Sequence, residues 1–190
     1  MVYKGAIKND KKLVAVKRQE NVLAEREREF QTKMKVIRRT HHKNLVHLLG
    51  YCHDGPNRLL VYKYMSNGSL ADVLFTLEKQ PYWDERTEIS RNIARGILYF
   101  YEECMPQIIH CDIKPHNILM DESMCAKISK FGLSKLLKPD QTKTFTDIRG
   151  TRGYVALEWH HRMPMTVDVD VHSFGIVFVC LFKPLKNKLV

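Results

Sequence analysis

The stretch "IIHCDIKPHNILM" carries three polar side chains that could act together on a phosphoryl group. Asp112, Lys114 and Asn117 lie in a short polar loop between two apolar runs. Phosphoryl transfer needs a base that orients a hydroxyl, a cation that balances the moving phosphoryl charge, and a hard oxygen ligand for Mg²⁺. The same residues are also explained by a hydrogen-bonded turn without catalytic function, because Asp and Asn are common in turns. Taken alone, the stretch leaves both interpretations open.

The first part of the chain predicts strands and one helix. A strand core at Leu13 to Val16 is flanked by charge, and the residues from Leu23 to Thr40 show helical spacing of apolar side chains. The runs "NLVHLLGYC" and "RLLVYKYM" predict two strands joined by the turn "HDGPN". A boundary between two lobes is expected near residues 62–68.

The second part of the chain predicts mostly helices. "SNGSL" predicts a turn into a short helix, and Trp83–Glu103 predicts a long helix with a buried stripe at every fourth residue. "QIIH", "NILM" and "AKIS" predict short strands, and "DVDVHSFGIVFVCLF" predicts a buried helix. This order predicts an α+β arrangement in two lobes.

Composition restricts the class of protein. A hydrophobic fraction of 44% and a charged fraction of 27% are typical of a soluble globular domain. The net charge of +10 suggests affinity for anions, although a solvated surface with extra lysines is the simpler interpretation. The basic residues are scattered without interleaved aromatics, which argues against nucleic acid. Five cysteines without a CxxC pair favour a reducing compartment over a disulfide framework or zinc site. No apolar run is long enough to predict a membrane span.

The motifs together resemble a protein kinase, and in particular the serine/threonine kinase domain of plant receptor-like kinases of the S-domain (bulb-type) lectin group. The resemblance covers about residues 1–182. It rests on "VYKGAI", "LVAVKR", "THHKNLVHLLGYC", "LLVYKYMSNGSLADVLF", "IIHCDIKPHNILMDE", "KISKFGLSKLL", "IRGTRGYVALEWH" and "DVHSFGIV".

The resemblance implies ATP as cofactor and a role for each residue of the loop. Asp112 would be the catalytic base for the substrate hydroxyl, and Lys114 would face the γ phosphate. Asn117 would bind Mg²⁺, and Lys17 would bind the α and β phosphates. Cys111 replaces the usual arginine, which implies activation without a phosphothreonine–arginine pair.

The resemblance also assigns the adenine site and an apolar stack. Tyr62, Tyr64 and Met65 would belong to the hinge whose backbone bonds adenine, and Ala15 and Leu119 would enclose the ring. The stack that couples the two lobes would comprise Ile37, Leu48, His110 and Phe131.

Four positions depart from the family pattern. Lys130 stands where the resemblance places the Mg²⁺-binding aspartate, and Lys33 stands where a helix glutamate would pair with Lys17. Lys63 replaces a hinge glutamate, and Leu157 replaces the proline of Ala-Pro-Glu. An ammonium group cannot coordinate Mg²⁺, which takes oxygen ligands. Metal-assisted transfer is therefore expected to suffer.

Two further interpretations stay open. Glu29 lies one turn before Lys33 and could serve Lys17 in its place, but pairing between Glu29 and Lys33 competes. Thr142, Thr144 and Thr146 form an activation-loop region, with Thr151 in the segment that would contact substrate; an exposed polar loop is the simpler interpretation.

The resemblance predicts a kinase fold that is incomplete at both ends, without the glycine-rich loop and the last large-lobe helices. The expected division is a partial small lobe at 1–64, a partial large lobe at 65–182, and a non-matching tail at 183–190. An exposed apolar helix near the end is expected to favour self-association.

Three functions fit the sequence. The first is a pseudokinase that binds nucleotide and hardly transfers phosphate, acting with a signalling partner. The second is an active serine/threonine kinase with unusual metal handling, and the third is an unstable fragment without function. The expected location is cytoplasmic, at the plasma membrane where the chain forms part of a longer receptor.

Overall fold

A computed structural model of the chain describes most of its residues. These are 1–7, 12–19, 34, 36–38, 40–54, 57–76, 80–138, 141–144, 150–156 and 164–183. The predicted helix at 23–40 lies almost wholly outside them, although residues 34 and 36–38 are helical.

A four-stranded antiparallel sheet forms the first part of the molecule. Its strands are β1 (Val2–Ile7), β2 (Lys12–Gln19), β3 (Leu48–Asp54) and β4 (Asn57–Lys63), in the order β1-β2-β4-β3. The predicted strand at 13–16 and the β3–β4 hairpin are confirmed, whereas β1 was not predicted from its letters. The register sets Ala15 opposite Tyr62 and Lys17 opposite Leu60, so β2 and β4 fix those side chains relative to each other.

Three α-helices lie in the described residues of the second part. They are α1 (Leu70–Phe75), α2 (Trp83–Glu102) and α3 (Asp168–Phe182). Ser69 begins α1 with a capping box, because its hydroxyl accepts from Asp72 N at 3.2 Å and its own N–H donates to Asp72 Oδ2 at 2.8 Å. Ile89, Ile93 and Ile97 are buried along α2, which confirms the predicted stripe.

The prediction that the last helix is buried is wrong for one side of α3. Val177 and Leu181 are fully buried, but Val171 is 50% exposed and Val179 is 55% exposed. An all-round apolar sequence predicts an all-round buried helix. Described residues cover α3 where it packs on α2, with Phe182 and Trp83 ring centroids 4.9 Å apart, and where Asp170 meets the backbone of His110 and Cys111. The side with Val171 and Val179 is left exposed.

Short strands and turns connect the helices and carry the polar loops. The strands are β5 (Ile108–Ile109), β6 (Ile118–Met120), β7 (Ala126–Ile128) and β8 (Lys135–Leu136). β6 pairs with β7, and β5 pairs with β8. The first three were predicted and β8 was not. One-turn 3₁₀ helices at Pro115–Asn117 and Phe131–Leu133 precede β6 and β8.

Backbone hydrogen bonds and one apolar cluster join the two parts. Val46 N donates to Ile128 O at 2.9 Å, and Ile128 N donates to Asn44 O at 2.8 Å. Of the predicted stack, Ile37, Leu48 and Phe131 belong to one buried cluster. The ring of His110 lies 5.4 Å from that of Phe131. The division into lobes at residue 64 stays a prediction.

Candidate functional site

A buried carboxyl group fixes the backbone at the start of the loop that carries Asp112. Asp170 of α3 accepts the backbone N–H of His110 at 2.6 Å and that of Cys111 at 2.8 Å. Burial raises the pKa of Asp170 to about 7, and the two N–H donors oppose that rise. Asp170 was not among the predicted site residues, although an acid within an otherwise apolar helix was an available signal.

His110 fixes the same loop from its side chain. The ring is fully buried, and burial lowers the pKa of His110 to about 4, so the imidazole is neutral at pH 7. Its Nδ1 accepts from Asp112 N at 3.2 Å, so Nε2 carries the proton and donates to Ser129 O at 2.8 Å. The backbone of Asp112 is therefore tied to the end of β7.

The structure brings Asp112, Lys114 and Asn117 together, as predicted. Asn117 Nδ2 donates to Asp112 Oδ2 at 2.6 Å, and Lys114 Nζ lies 3.3 Å from Asp112 Oδ1. Thr151 adds a third contact, because its hydroxyl donates to Asp112 Oδ1 at 2.7 Å and accepts from Lys114 Nζ. The carboxylate is thus oriented by an amide, an ammonium and a hydroxyl, an arrangement suited to position a substrate hydroxyl.

One oxygen of this cluster is buried without a donor. Asn117 Oδ1 has no hydrogen-bond partner among the described residues, while both hydrogen bonds of Asn117 Nδ2 go to Asp112. A buried amide oxygen left open in this way suits a hard cation. Asn117 therefore fits the role of an Mg²⁺ ligand.

Lys130 does not fit a Mg²⁺ site. It precedes the 3₁₀ turn at Phe131–Leu133 in a left-handed conformation, with φ 64° and ψ 58°. Burial first, and then Lys114, lower the pKa of Lys130, while Asp112 opposes them. A cation lies where the resemblance places a carboxylate, so the residues present supply only part of a metal-binding set. The described residues hold no group of three His, Cys, Asp or Glu side chains suited to a metal.

Lys17 shares the surroundings of Lys130. Burial, followed by repulsion from Lys130, lowers the pKa of Lys17, and Asp112 again acts in the opposite direction. Lys17 and Lys130 also border one cavity of about 220 Å³. The two ammonium groups therefore border one cavity, and both lie within electrostatic range of Asp112.

The predicted nucleotide-binding residues all line that cavity. Ala15 and Lys17 come from β2, Tyr62 from β4, Tyr64 and Met65 from the segment after it, and Leu119 from β6. Burial raises the pKa of Tyr62 to about 12, so its phenol is neutral. Sequence reasoning missed further lining residues, which are Val2, Val46 and Ser129.

Other predicted residues lie at the rim or outside the described part of the chain. Lys63 lines the cavity and pairs with Glu122 at 3.3 Å. Thr144 exchanges two backbone hydrogen bonds with Met165, at 2.9 and 2.8 Å, which anchors part of the predicted activation loop. Lys33, Glu29, Thr146 and Leu157 lie outside the described residues. Within the described ranges, no helix combines the length and apolarity needed to cross a membrane.

Comparison with known proteins gives consistent matches along the chain. The sequence model of the protein kinase domain family matches residues 1–186. The rice (Oryza sativa subsp. indica) G-type lectin S-receptor-like serine/threonine-protein kinase LECRK4 is 51% identical over 180 residues, which is 94% of this chain. LECRK3 of the same rice is 50% identical over 188 residues, or 98% of the chain, and Arabidopsis thaliana RLK1 is 48% identical over 182 residues, or 94%.

These matches confirm the predicted resemblance and show a mixed α/β domain of the protein kinase type. The chain spans only 22% to 23% of the length of these curated relatives. The predicted incompleteness at both ends stays a prediction.

Proposed function

The chain belongs to the protein kinase family, and from this premise we propose that it is a nucleotide-binding kinase domain with impaired phosphoryl transfer. Protein kinases use ATP and Mg²⁺ and act on protein substrates. The observation that carries the proposal is Lys130, which lines the cavity beside Lys17 where the family has a metal-binding carboxylate.

The size of the charge reversal at position 130 supports impaired phosphoryl transfer. Two unit charges 4 Å apart interact by roughly 4 kcal/mol at an effective dielectric of 20. Replacing Asp by Lys turns such an attraction to Mg²⁺ into a repulsion. Since about 1.4 kcal/mol corresponds to a tenfold change in rate, a loss of at least about a hundredfold in metal-assisted transfer is expected.

The remaining machinery supports nucleotide binding and a residual reaction. Lys17 would contact the α and β phosphates, and Asp112 would orient a Ser or Thr hydroxyl of the substrate protein. Lys114 would face the γ phosphate, and Asn117 would offer Oδ1 to a cation. Because Asp112, Lys114 and Asn117 form one bonded cluster, an active serine/threonine kinase is the second candidate function.

The setting of the protein is proposed from its relatives. The similar proteins are named as receptor-like kinases, so we place this domain at the cytoplasmic face of the plasma membrane where it belongs to a longer receptor. It would act there as a binding or decoy module for a signalling partner.

The exposed side of α3, with Val171, Phe178 and Val179, would favour self-association at micromolar concentration. A monodisperse monomer in light scattering would contradict that last point.

The decisive experiment measures transfer of radiolabelled phosphate from ATP to a generic protein substrate, with Mg²⁺ and separately with Mn²⁺. We expect the natural sequence to be at least about a hundredfold slower than the Lys130→Asp variant. A Lys130→Asp, Lys33→Glu double variant tests whether the second lysine adds to the loss. Asp112→Asn in the Lys130→Asp background should abolish the gain. Rapid transfer by the natural sequence, at a rate equal to that of Lys130→Asp, would establish the active kinase instead.

A cooperative thermal transition separates both candidates from an unstable fragment. We expect a single transition, because the buried cluster includes Leu48, Phe100 and Phe131 from three different elements or turns. A broad, non-cooperative loss of signal would favour the fragment.

A further inference from the structure

The described lining of the cavity carries an unbalanced positive charge. Three lysines line it, Lys17, Lys63 and Lys130, and its described lining includes no carboxylate. Lys63 is paired with Glu122 at 3.3 Å, at the exposed rim. Neither Lys17 nor Lys130 has a carboxylate oxygen within ion-pair distance among the described residues. Two partly buried cations are thus left without a contacting counter-ion inside the site.

The nearby carboxylate is already shared. Asp112 is close enough to raise the pKa values of both Lys17 and Lys130, but its oxygens accept from Thr151 and Asn117 and pair with Lys114. The pKa values of Lys17 and Lys130 are nevertheless both lowered, because burial and repulsion by a neighbouring lysine outweigh the attraction of Asp112. An anion that enters between Lys17 and Lys130 would relieve this repulsion.

We propose that the cavity takes a nucleotide polyphosphate as the metal-free anion, with the ammonium groups of Lys17 and Lys130 in place of a divalent cation. The proposal rests on the proposed function, which gives the cavity a nucleotide as ligand. Complexation with Mg²⁺ removes part of the negative charge of the polyphosphate and brings a cation towards Lys130. Mg²⁺ therefore acts as a competitor for the ligand instead of a cofactor of binding.

The chemistry predicts an order of ligands. The polyphosphate supplies the charge, so ATP binds more tightly than ADP, and ADP more tightly than AMP. The apolar walls formed by Ala15, Val46 and Leu119 hold the base, so inorganic triphosphate binds more weakly than ATP. Salt screens the attraction between the lysines and the phosphates, so the ligands must be compared at equal ionic strength.

The test is isothermal titration of the 190-residue protein with ATP, once in EDTA and once in excess Mg²⁺ at equal ionic strength. We expect Kd to rise at least about tenfold in Mg²⁺, which corresponds to about 1.4 kcal/mol. Lys130→Asp should invert the preference, and Lys130→Met should remove it. Lys43→Asp makes the same charge change at an exposed turn residue outside the cavity lining, and should keep the natural preference.

The outcomes separate this inference from the proposed function. Tighter binding in Mg²⁺ overturns the inference and points to a metal held through Asn117 Oδ1. Absence of ATP binding in EDTA also overturns it, while slow phosphate transfer would still stand. Fast transfer by the natural sequence overturns the proposed function. The titration of the natural sequence decides the inference even if a variant fails to fold.

Discussion

Two segments within electrostatic range of each other differ in how their charges are balanced. The loop at Asp112 is surrounded by partners: Thr151, Asn117 and Lys114 contact its carboxylate, and Asp170 holds its backbone. The segment at Lys130 places an ammonium group in a partly buried position without a contacting carboxylate among the described residues. The difference shows that one segment of the site balances its charges through hydrogen bonds and ion pairs, whereas the neighbouring segment presents a cation without a contacting partner among the described residues.

The scaffold is common to both segments, because Phe131 follows Lys130 and packs beside His110 of the Asp112 loop. The ring of Phe131 is fully buried and also contacts Phe100, with centroids 5.8 Å apart. The Lys130 segment is therefore anchored by an apolar side chain that does not depend on the charge at position 130.

The largest expected effect tests that shared anchor. Phe131→Ala should lower the free energy of unfolding by about 3–5 kcal/mol, because it leaves a cavity between Phe100 and His110. Phe178→Ala is the matched control, since Phe178 is 44% exposed on α3 and should cost less than about 1 kcal/mol. Chemical denaturation measures both. Equal losses would mean that Phe131 does not join the two segments.

The pH dependence of stability probes the neutral imidazole of the Asp112 loop. Because the pKa of His110 is lowered to about 4 in the folded state, its contribution is fully present above its usual value of 6.5. The contribution is lost as the pH falls from 6.5 towards 4, at up to about 1.4 kcal/mol per pH unit. The stability difference between the natural sequence and His110→Phe should therefore shrink over that range.

Asp170 serves as a control, because its contribution to stability changes with pH in the opposite direction. Its raised pKa of about 7 means that its contribution is present below about 4 and is lost as the pH rises towards 7. The difference between the natural sequence and Asp170→Asn should therefore shrink with rising pH. Denaturation midpoints at several pH values give both slopes, and parallel slopes would contradict the assignment of a buried neutral His110.

The local sequence predicted those parts of the site whose residues lie close together in the chain. Asp112, Lys114 and Asn117 fall within one turn-rich loop, so their meeting needed no knowledge of the fold. Asp170 accepts a hydrogen bond from the backbone N–H of His110, 60 residues earlier, and the hydroxyl of Thr151 donates to Asp112 across 39 residues. Such contacts depend on tertiary packing, which periodicity alone does not encode.

The fold shows the same division. The regular stripe of α2 predicted its buried side, and the turn residues predicted the β3–β4 hairpin. β1 and β8 were missed because each is defined by pairing with a partner strand, and their own letters are mixed. The apolar sequence of α3 by itself predicted burial, and its exposed side was expected only from the resemblance to a kinase domain with further large-lobe helices.

The smallest expected effect sharpens the contrast by removing one partner of Asp112. Thr151→Val keeps the shape of the side chain but loses the hydroxyl that donates to Asp112 Oδ1 and accepts from Lys114. A hydrogen bond to a charged group is worth about 1.5–3 kcal/mol, and partial exposure to water reduces this to about 1 kcal/mol here. Thr151→Ser should retain most of it, and both variants are compared by chemical denaturation. Because Lys130 has no part in this bond, Thr151→Val should leave the metal dependence of ATP binding unchanged; a shift in that dependence would show that the two segments are coupled through Lys114.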